Sequence, residues 1–156
     1  MPSSDFALAA EPAWLQLCAA AGVDPQQRMQ ARLTILRHPQ AVDCTLYRPD
    51  DENLESEETE LGDARVLFSG PFQVPDDWSD SERAEYFAED DPALFFSACI
   101  ECEGVVGSRA FFLPEIGDHV ACMTAQGQVV MYFVDDCSED ERGRNCVLIR
   151  DDEPLL

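Results

Sequence analysis

The stretch Leu94-Phe95-Phe96-Ser97-Ala98-Cys99-Ile100-Glu101-Cys102-Glu103 decides how the rest of the chain is read. Leu94, Phe96, Ala98, Ile100 and Cys102 fall on one side of an extended chain. Phe95, Ser97, Cys99, Glu101 and Glu103 fall on the other, which is the two-residue period of a β-strand. Downstream, His119 to Thr124 and Gln128 to Val134 flank Ala125-Gln126-Gly127, the signature of a hairpin. Asn145 to Arg150 reads as a final strand. Upstream, Asp63 to Phe72 is a strand closed by Gly70-Pro71. Asp24-Pro25 offers a second N-cap, and Met29, Leu33 and Leu36 fit helical spacing, but Met29, Ala31, Leu33 and Ile35 also alternate. Strand is favoured for Ala31 to Arg37, because His38-Pro39-Gln40 leads into Val42 to Tyr47 and the two runs are expected to pair as a hairpin. Short strands joined by tight turns predict a mainly β fold, a small β-barrel or sandwich with long acidic loops and a short N-terminal helix.

Two helices are expected. Glu11 to Ala21 has Pro12 in its first turn, Trp14, Leu17, Cys18 and Ala21 on one face, and Gly22 as a stop. Trp78 to Ala88 carries Ser79 and Glu82 in capping-box spacing. The organisation that follows is a helical extension over 1–28, a β-rich domain over 29–150 with acidic segments at 50–63 and 76–91, and an acidic tail over 151–156. Asp135 to Arg144 reads as a second charged loop.

Charge sets the class of partner. The 156 residues hold 10 basic side chains, all arginine, against 32 acidic ones, a net charge of −22. Such a chain is repelled by nucleic-acid phosphates and anionic membranes. The arginines are scattered from Arg28 to Arg150 and form no basic patch. With 46% hydrophobic residues the chain can nevertheless bury a core. No apolar run is long enough to span a bilayer, and Met1 to Ala10 lacks the basic start of a secretory signal. A soluble protein of the cytoplasm is expected. Seven cysteines, mostly within apolar segments, read as free thiols in a reducing compartment.

The residues that carry chemistry elsewhere do not assemble into a reaction here. Cys99-x-x-Cys102 has no second pair to complete a zinc site, and residues three apart on a strand face opposite ways. His119 and Cys122 are separated in the same manner, and His38 falls in a turn. The acidic runs lack the glycine of an EF-hand loop. Neither a phosphate-binding glycine loop nor a Gly-x-Ser-x-Gly elbow is present. The expectation is a non-enzymatic protein with no cofactor and no metal.

The acids themselves are localised. Twenty-four of the 32 lie in Asp50–Asp63, Asp76–Asp91, Asp135–Glu141 and Asp151–Glu153, and the predicted strands are nearly neutral. The surface expected to meet a basic partner is made of Asp50, Asp51, Glu52, Glu55, Glu57, Glu58, Glu60, Asp76 and Asp77.

From Leu113 onward, Gly117-Asp118-x-Val120 begins a strand, Gly127 turns it, Tyr132-Phe133-Val134 is an aromatic strand, and Cys146 to Ile149 closes the unit. In this the chain resembles the SH3-like barrels of tailed-phage neck proteins, the head–tail connector and head-closure class. The hairpin Leu33 to Tyr47 and Leu61-Gly62-Asp63-Ala64-Arg65 are similar in character. The resemblance implies a non-enzymatic virion component whose loops pack between neighbouring subunits. The second reading is an acidic inhibitor, an immunity protein or nucleic-acid mimic that occupies a basic site. Localisation follows: the cytoplasm of a bacterial host, or the virion. Both readings exclude direct contact with nucleic acid or membrane.

Overall fold

The computed structural model describes residues 10–49, 58–88 and 90–151. In chain order these form α1 (Pro12–Ala21), α2 (Pro25–Leu36), β1 (Val42–Arg48), β2 (Thr59–Pro71), α3 (Asp80–Phe87), β3 (Phe95–Cys102), β4 (His119–Met123), β5 (Val129–Asp140) and β6 (Gly143–Arg150). The six strands close into an antiparallel barrel in the order β1-β2-β3-β6-β5-β4. Closure is made by β1 against β4, with Cys44 opposite Cys122 and Leu46 opposite Val120. A closed barrel leaves no strand edge unpaired.

The alternation read in β3 is the one the barrel uses. Ala98, Ile100 and Cys102 point inward and pack with Leu46, Val66, Val120, Val134 and Leu148. Phe68, Phe96 and Tyr132 continue the inner layers as an aromatic group, with Phe68 and Tyr132 centroids 5.2 Å apart. Outward-facing Phe95 is also buried, because Phe87 of α3 packs edge-on against it at 4.7 Å. The hydroxyl of Ser79 caps α3 by accepting from the Glu82 N–H at 3.1 Å, as the sequence predicted.

Three sequence expectations are corrected. First, Ala31 to Arg37 is not a strand: it belongs to α2, and β1 pairs with β2 and β4 instead. The helix starts at Pro25 because Asp24 accepts from the Gln27 N–H at 3.0 Å. Its buried residues are Arg28, Met29, Arg32 and Ile35, which lie on one helical face. Two of the four are arginines, so the apolar residues alone fit a strand as well as a helix and do not decide between them. The helix also runs across the expected junction at 28/29. Second, Asp135 to Arg144 is not a loop. β5 continues to Asp140 and β6 begins at Gly143, with only Glu141-Arg142 between them. A bulge between Val134 and Asp136 resets the register partway along. Third, the strands are not nearly neutral, since β2 carries Glu60 and Asp63, and β5 carries Asp136, Glu139 and Asp140.

Arginine fastens the helices to the barrel. Arg28 is fully buried and meets Glu101 of β3 at 2.7 Å and Glu139 of β5 at 2.6 Å. Its guanidinium lies over the Trp14 ring, 5.2 Å from the centroid. Arg32 donates to the carbonyls of Cys102 and Gly104 at 2.6 and 2.8 Å. Arg144 donates to the Pro114 carbonyl and reaches Glu139 at 3.4 Å. Around these pairs Trp14, Cys18, Val23, Met29 and Val106 form a second apolar cluster between the helices and the 103–118 loop. Gly104 is required there, because a Cβ at that position would collide with the Ala110 backbone.

Candidate interaction surface

The expected partner-facing carboxylates divide into three groups. Asp50, Asp51, Glu52, Glu55 and Glu57 lie outside the described residues. Glu58 and Glu60 stand at the start of β2, where Glu58 lies 2.7 Å from His119 Nδ1. Asp76 and Asp77 are exposed in the turn that follows the other end of β2. β2 has 13 residues, a contour of about 40 Å at about 3.3 Å per residue, and the two groups flank its opposite ends. The structure therefore does not bring Glu58 and Glu60 together with Asp76 and Asp77. They are separate acidic poles of one elongated strand.

Between these poles is a surface that the sequence pattern alone does not single out. Helix α2 packs over the β2–β3–β6 side of the barrel, and α1 packs on α2. On the β1–β4 side a groove of 620 Å³ is lined by Asp43, Tyr47, Asp63, Glu103, Met123 and Val129, among others. Its chemistry follows from strand alternation. Cys44, Leu46 and Ala64 point into the core, so Asp43, Thr45, Tyr47 and Asp63 point out. Met123 and Val129 are about half exposed at 49% and 46%. The groove thus combines an apolar floor with carboxylates along it. Asp43 is only loosely held by Arg65 at 3.7 Å, and Asp63 accepts from the Thr45 hydroxyl at 3.1 Å. The legible signal is the spacing of Asp43, Thr45 and Tyr47, whose shared outward face is less conspicuous in the sequence than the acidic runs of the loops.

The electrostatics of this surface depend on where the arginines go. Arg48 pairs with buried Asp118 through two hydrogen bonds of 2.8 and 2.9 Å and also donates to the Leu113 carbonyl. The Asp118 hydrogen bond leads the effects that hold the Arg48 guanidinium above its usual range. Arg65 donates to the Ala41 carbonyl at 2.5 Å. With Arg28, Arg32 and Arg144, five of the ten arginines are turned toward the scaffold. Burial pulls the Arg28 guanidinium down, but Glu101 and Glu139 together outweigh it and hold it firmly charged. Burial pushes the Glu101 carboxyl up, against the pull of Arg28, the Arg144 N–H and Arg32. The central group of three arginines and two glutamates carries a net positive charge, so the remaining surface is more negative than the −22 of the whole chain.

The thiols and imidazoles sort by strand face as the sequence predicted. Cys102 is in the core, whereas Cys99 is directed to Asn145 Oδ1 at 3.2 Å. Burial, reinforced by Glu101, pushes the Cys99 thiol up. His119 meets Glu58 and the Phe133 ring, on the opposite side from Cys122. His38 Nδ1 accepts from the Gln40 N–H at 3.1 Å and so serves its turn. All seven cysteines are free thiols. Among the described residues no three His, Cys, Asp or Glu side chains are grouped to hold a metal ion, and no helix is long and apolar enough to cross a membrane. Compared with protein families, curated proteins and solved structures, the chain matches none.

Proposed function

We propose that this protein is a non-enzymatic assembly module that binds a basic protein surface through its acidic exterior. The observation that carries the reading is charge segregation. Arg28, Arg32, Arg48, Arg65 and Arg144 are spent on internal carboxylates and carbonyls, while Glu58, Glu60, Asp63, Asp76, Asp77 and Glu103 stay at the surface. A scaffold that uses half of its cations as internal fasteners presents a strongly negative exterior field, with the exposed carboxylates far outnumbering the five arginines left at the surface. That field speeds encounter with a basic partner and rejects acidic ones. It also opposes packing of one copy directly against another, so contacts to a different, basic chain are favoured. A small closed barrel carrying long connections is compatible with the resemblance to phage head–tail connector and head-closure proteins. In that setting the acidic segments would meet arginine and lysine patches of neighbouring subunits, in the host cytoplasm or in the particle. The second reading, an acidic inhibitor of a basic protein, draws on the same field and differs in stoichiometry.

The test is capture on the immobilised full chain from an extract of the source cells, with identification by mass spectrometry and size determination of the recovered complex. A basic protein released between low and high salt supports the proposal, because the screening length falls from about 10 Å at 0.1 M to about 3 Å at 1 M. A multi-subunit complex favours assembly, and a one-to-one complex favours inhibition. Absence of any retained basic protein, or release that ignores salt, overturns both.

A further inference from the structure

We propose that Cys137 and Cys146 are a peroxide-responsive dithiol that closes to a disulfide across the β5–β6 hairpin. The two residues are register partners, and their Sγ atoms are 3.5 Å apart. Their place in the ladder makes closure geometrically available. Asp140 and Gly143 pair directly across the two-residue turn Glu141-Arg142. Counting back from that hydrogen-bonded pair, 139/144 and 137/146 are both non-hydrogen-bonded pairs. An independent sign is the Arg144 N–H, which points away from β5 and bonds the Glu101 carboxylate at 3.2 Å. In non-hydrogen-bonded pairs the Cα atoms are about 4.5 Å apart, within the range of about 4.4–6.8 Å that disulfides span.

Access favours Cys137 over Cys146. A cleft of 210 Å³ is lined by both cysteines together with Ser69, Ser97, Ser138 and Asn145. Cys137 is half-buried and Cys146 is buried. The two thiols are unequal. The hydrogen bond with Cys146 leads the effects that hold the Cys137 thiol below its ordinary range; burial opposes it, Arg144 assists, and Asp136 and Asp118 oppose. Cys146 is pushed up by the same hydrogen bond and by burial, so it keeps its proton. Cys137 is then the attacking sulfur and Cys146 the resolving one.

The chemistry balances with hydrogen peroxide as oxidant. The Cys137 thiolate attacks one peroxide oxygen, the O–O bond breaks, and the departing hydroxide takes a proton to become water. Cys137 is now a sulfenic acid. The Cys146 sulfur attacks it, the S–O bond breaks, and hydroxide leaves with the Cys146 proton as a second water. Two thiols lose two electrons in all, and one peroxide is reduced to two waters. Cys44 and Cys122 are a built-in comparison: they are register partners too, but both are buried.

The experiment treats the reduced full chain with hydrogen peroxide and follows intact mass, free thiols and peptide maps. The expected product has lost two hydrogens, and its crosslink joins Cys137 to Cys146. It forms at least about tenfold faster than any Cys44–Cys122 crosslink, in line with thiolate control of the rate. In Cys146→Ser the reaction stops at a sulfenic acid on Cys137, which dimedone captures. Far-UV circular dichroism establishes that this variant is folded, and the peptide map of the unmodified sequence needs no variant at all. A first crosslink between other cysteines, no crosslink in the folded protein, or oxidation of Cys137 to sulfinic acid without crosslinking would overturn the proposal.

Discussion

Replacing Arg28 by alanine removes the cation on which two helices and two strands converge. Arg28 is held between Glu101 and Glu139, whose side chains are only 4% and 8% exposed. After the change, Glu101 keeps Arg32 at 3.8 Å and Glu139 keeps Arg144 at 3.4 Å, both longer than the ion pairs that Arg28 makes. Breaking a buried pair from one side costs about 3–5 kcal/mol, because a charge is left desolvated without its partner. For a chain of this size about 1 kcal/mol moves the midpoint by roughly 2–4 °C, so Arg28→Ala should lower Tm by about 6–20 °C. Urea unfolding and calorimetry measure both quantities. Arg28→Met combined with Glu101→Met should lose less than the sum of the two single changes, by about 2 kcal/mol, since the double change removes one of the two carboxylates that Arg28 leaves behind; Glu139 retains Arg144. The loss should also be insensitive to salt, because buried pairs are poorly screened. A loss under about 1 kcal/mol, or strict additivity in the double variant, would refute the assignment of these charges as the joint between helices and barrel.

Three other outcomes follow from single interactions. Ser79→Ala should lower stability by about 1 kcal/mol through loss of the α3 cap, with Ser79→Asp retaining it, both read by urea unfolding. Asp118→Ala removes two hydrogen bonds to Arg48 and the bond from the Glu115 N–H. It should cost about 1–3 kcal/mol and raise amide exchange over residues 113–118, because Arg48 can partly rehydrate. At Asp140, slight burial raises the carboxyl, but Asn145 and the N–H groups of Arg142 and Gly143 outweigh it, so the folded value lies below the ordinary one. A lowered folded value gives stability that is complete above the unfolded pKa of about 4 and lost as pH falls through the folded one. Asp140→Asn should therefore remove a small stabilisation at neutral pH and shallow the acid limb of a stability–pH curve, the two proteins converging at low pH. Exposure keeps the effect small.

The strands are legible where one face is apolar and the other wet. β3 and the β4–β5 hairpin follow directly from the alternation of Ala98, Ile100 and Cys102 and from the turn at Gly127. What escapes the sequence is structure whose buried side is charged. α2 buries Arg28 and Arg32, and the far end of β5 turns Glu139 toward Arg28. Hydrophobic patterning leaves such faces ambiguous, as helix against strand at Met29 to Leu36, because the compensation for each charge lies in another element: Glu101 is 73 residues from Arg28 and Glu139 is 111. The interaction surface divides in the same way. The acidic runs are plain to read, but their distribution to opposite ends of β2, and the groove bearing Asp43, Asp63 and Glu103, depend on closure of the barrel.

The central claim is that the acidic exterior draws in a basic partner while the arginines serve the scaffold. Its most direct test is the association rate with the captured partner as a function of ionic strength, for the unmodified chain and for Asp43→Asn, Asp63→Asn, Glu103→Gln combined. For the unmodified chain the rate should fall at least about tenfold from low to high salt, and the neutralised variant should start slower and depend on salt less. A rate that is independent of salt, or a neutralised variant that associates as fast and as salt-sensitively as the unmodified chain, would contradict the account.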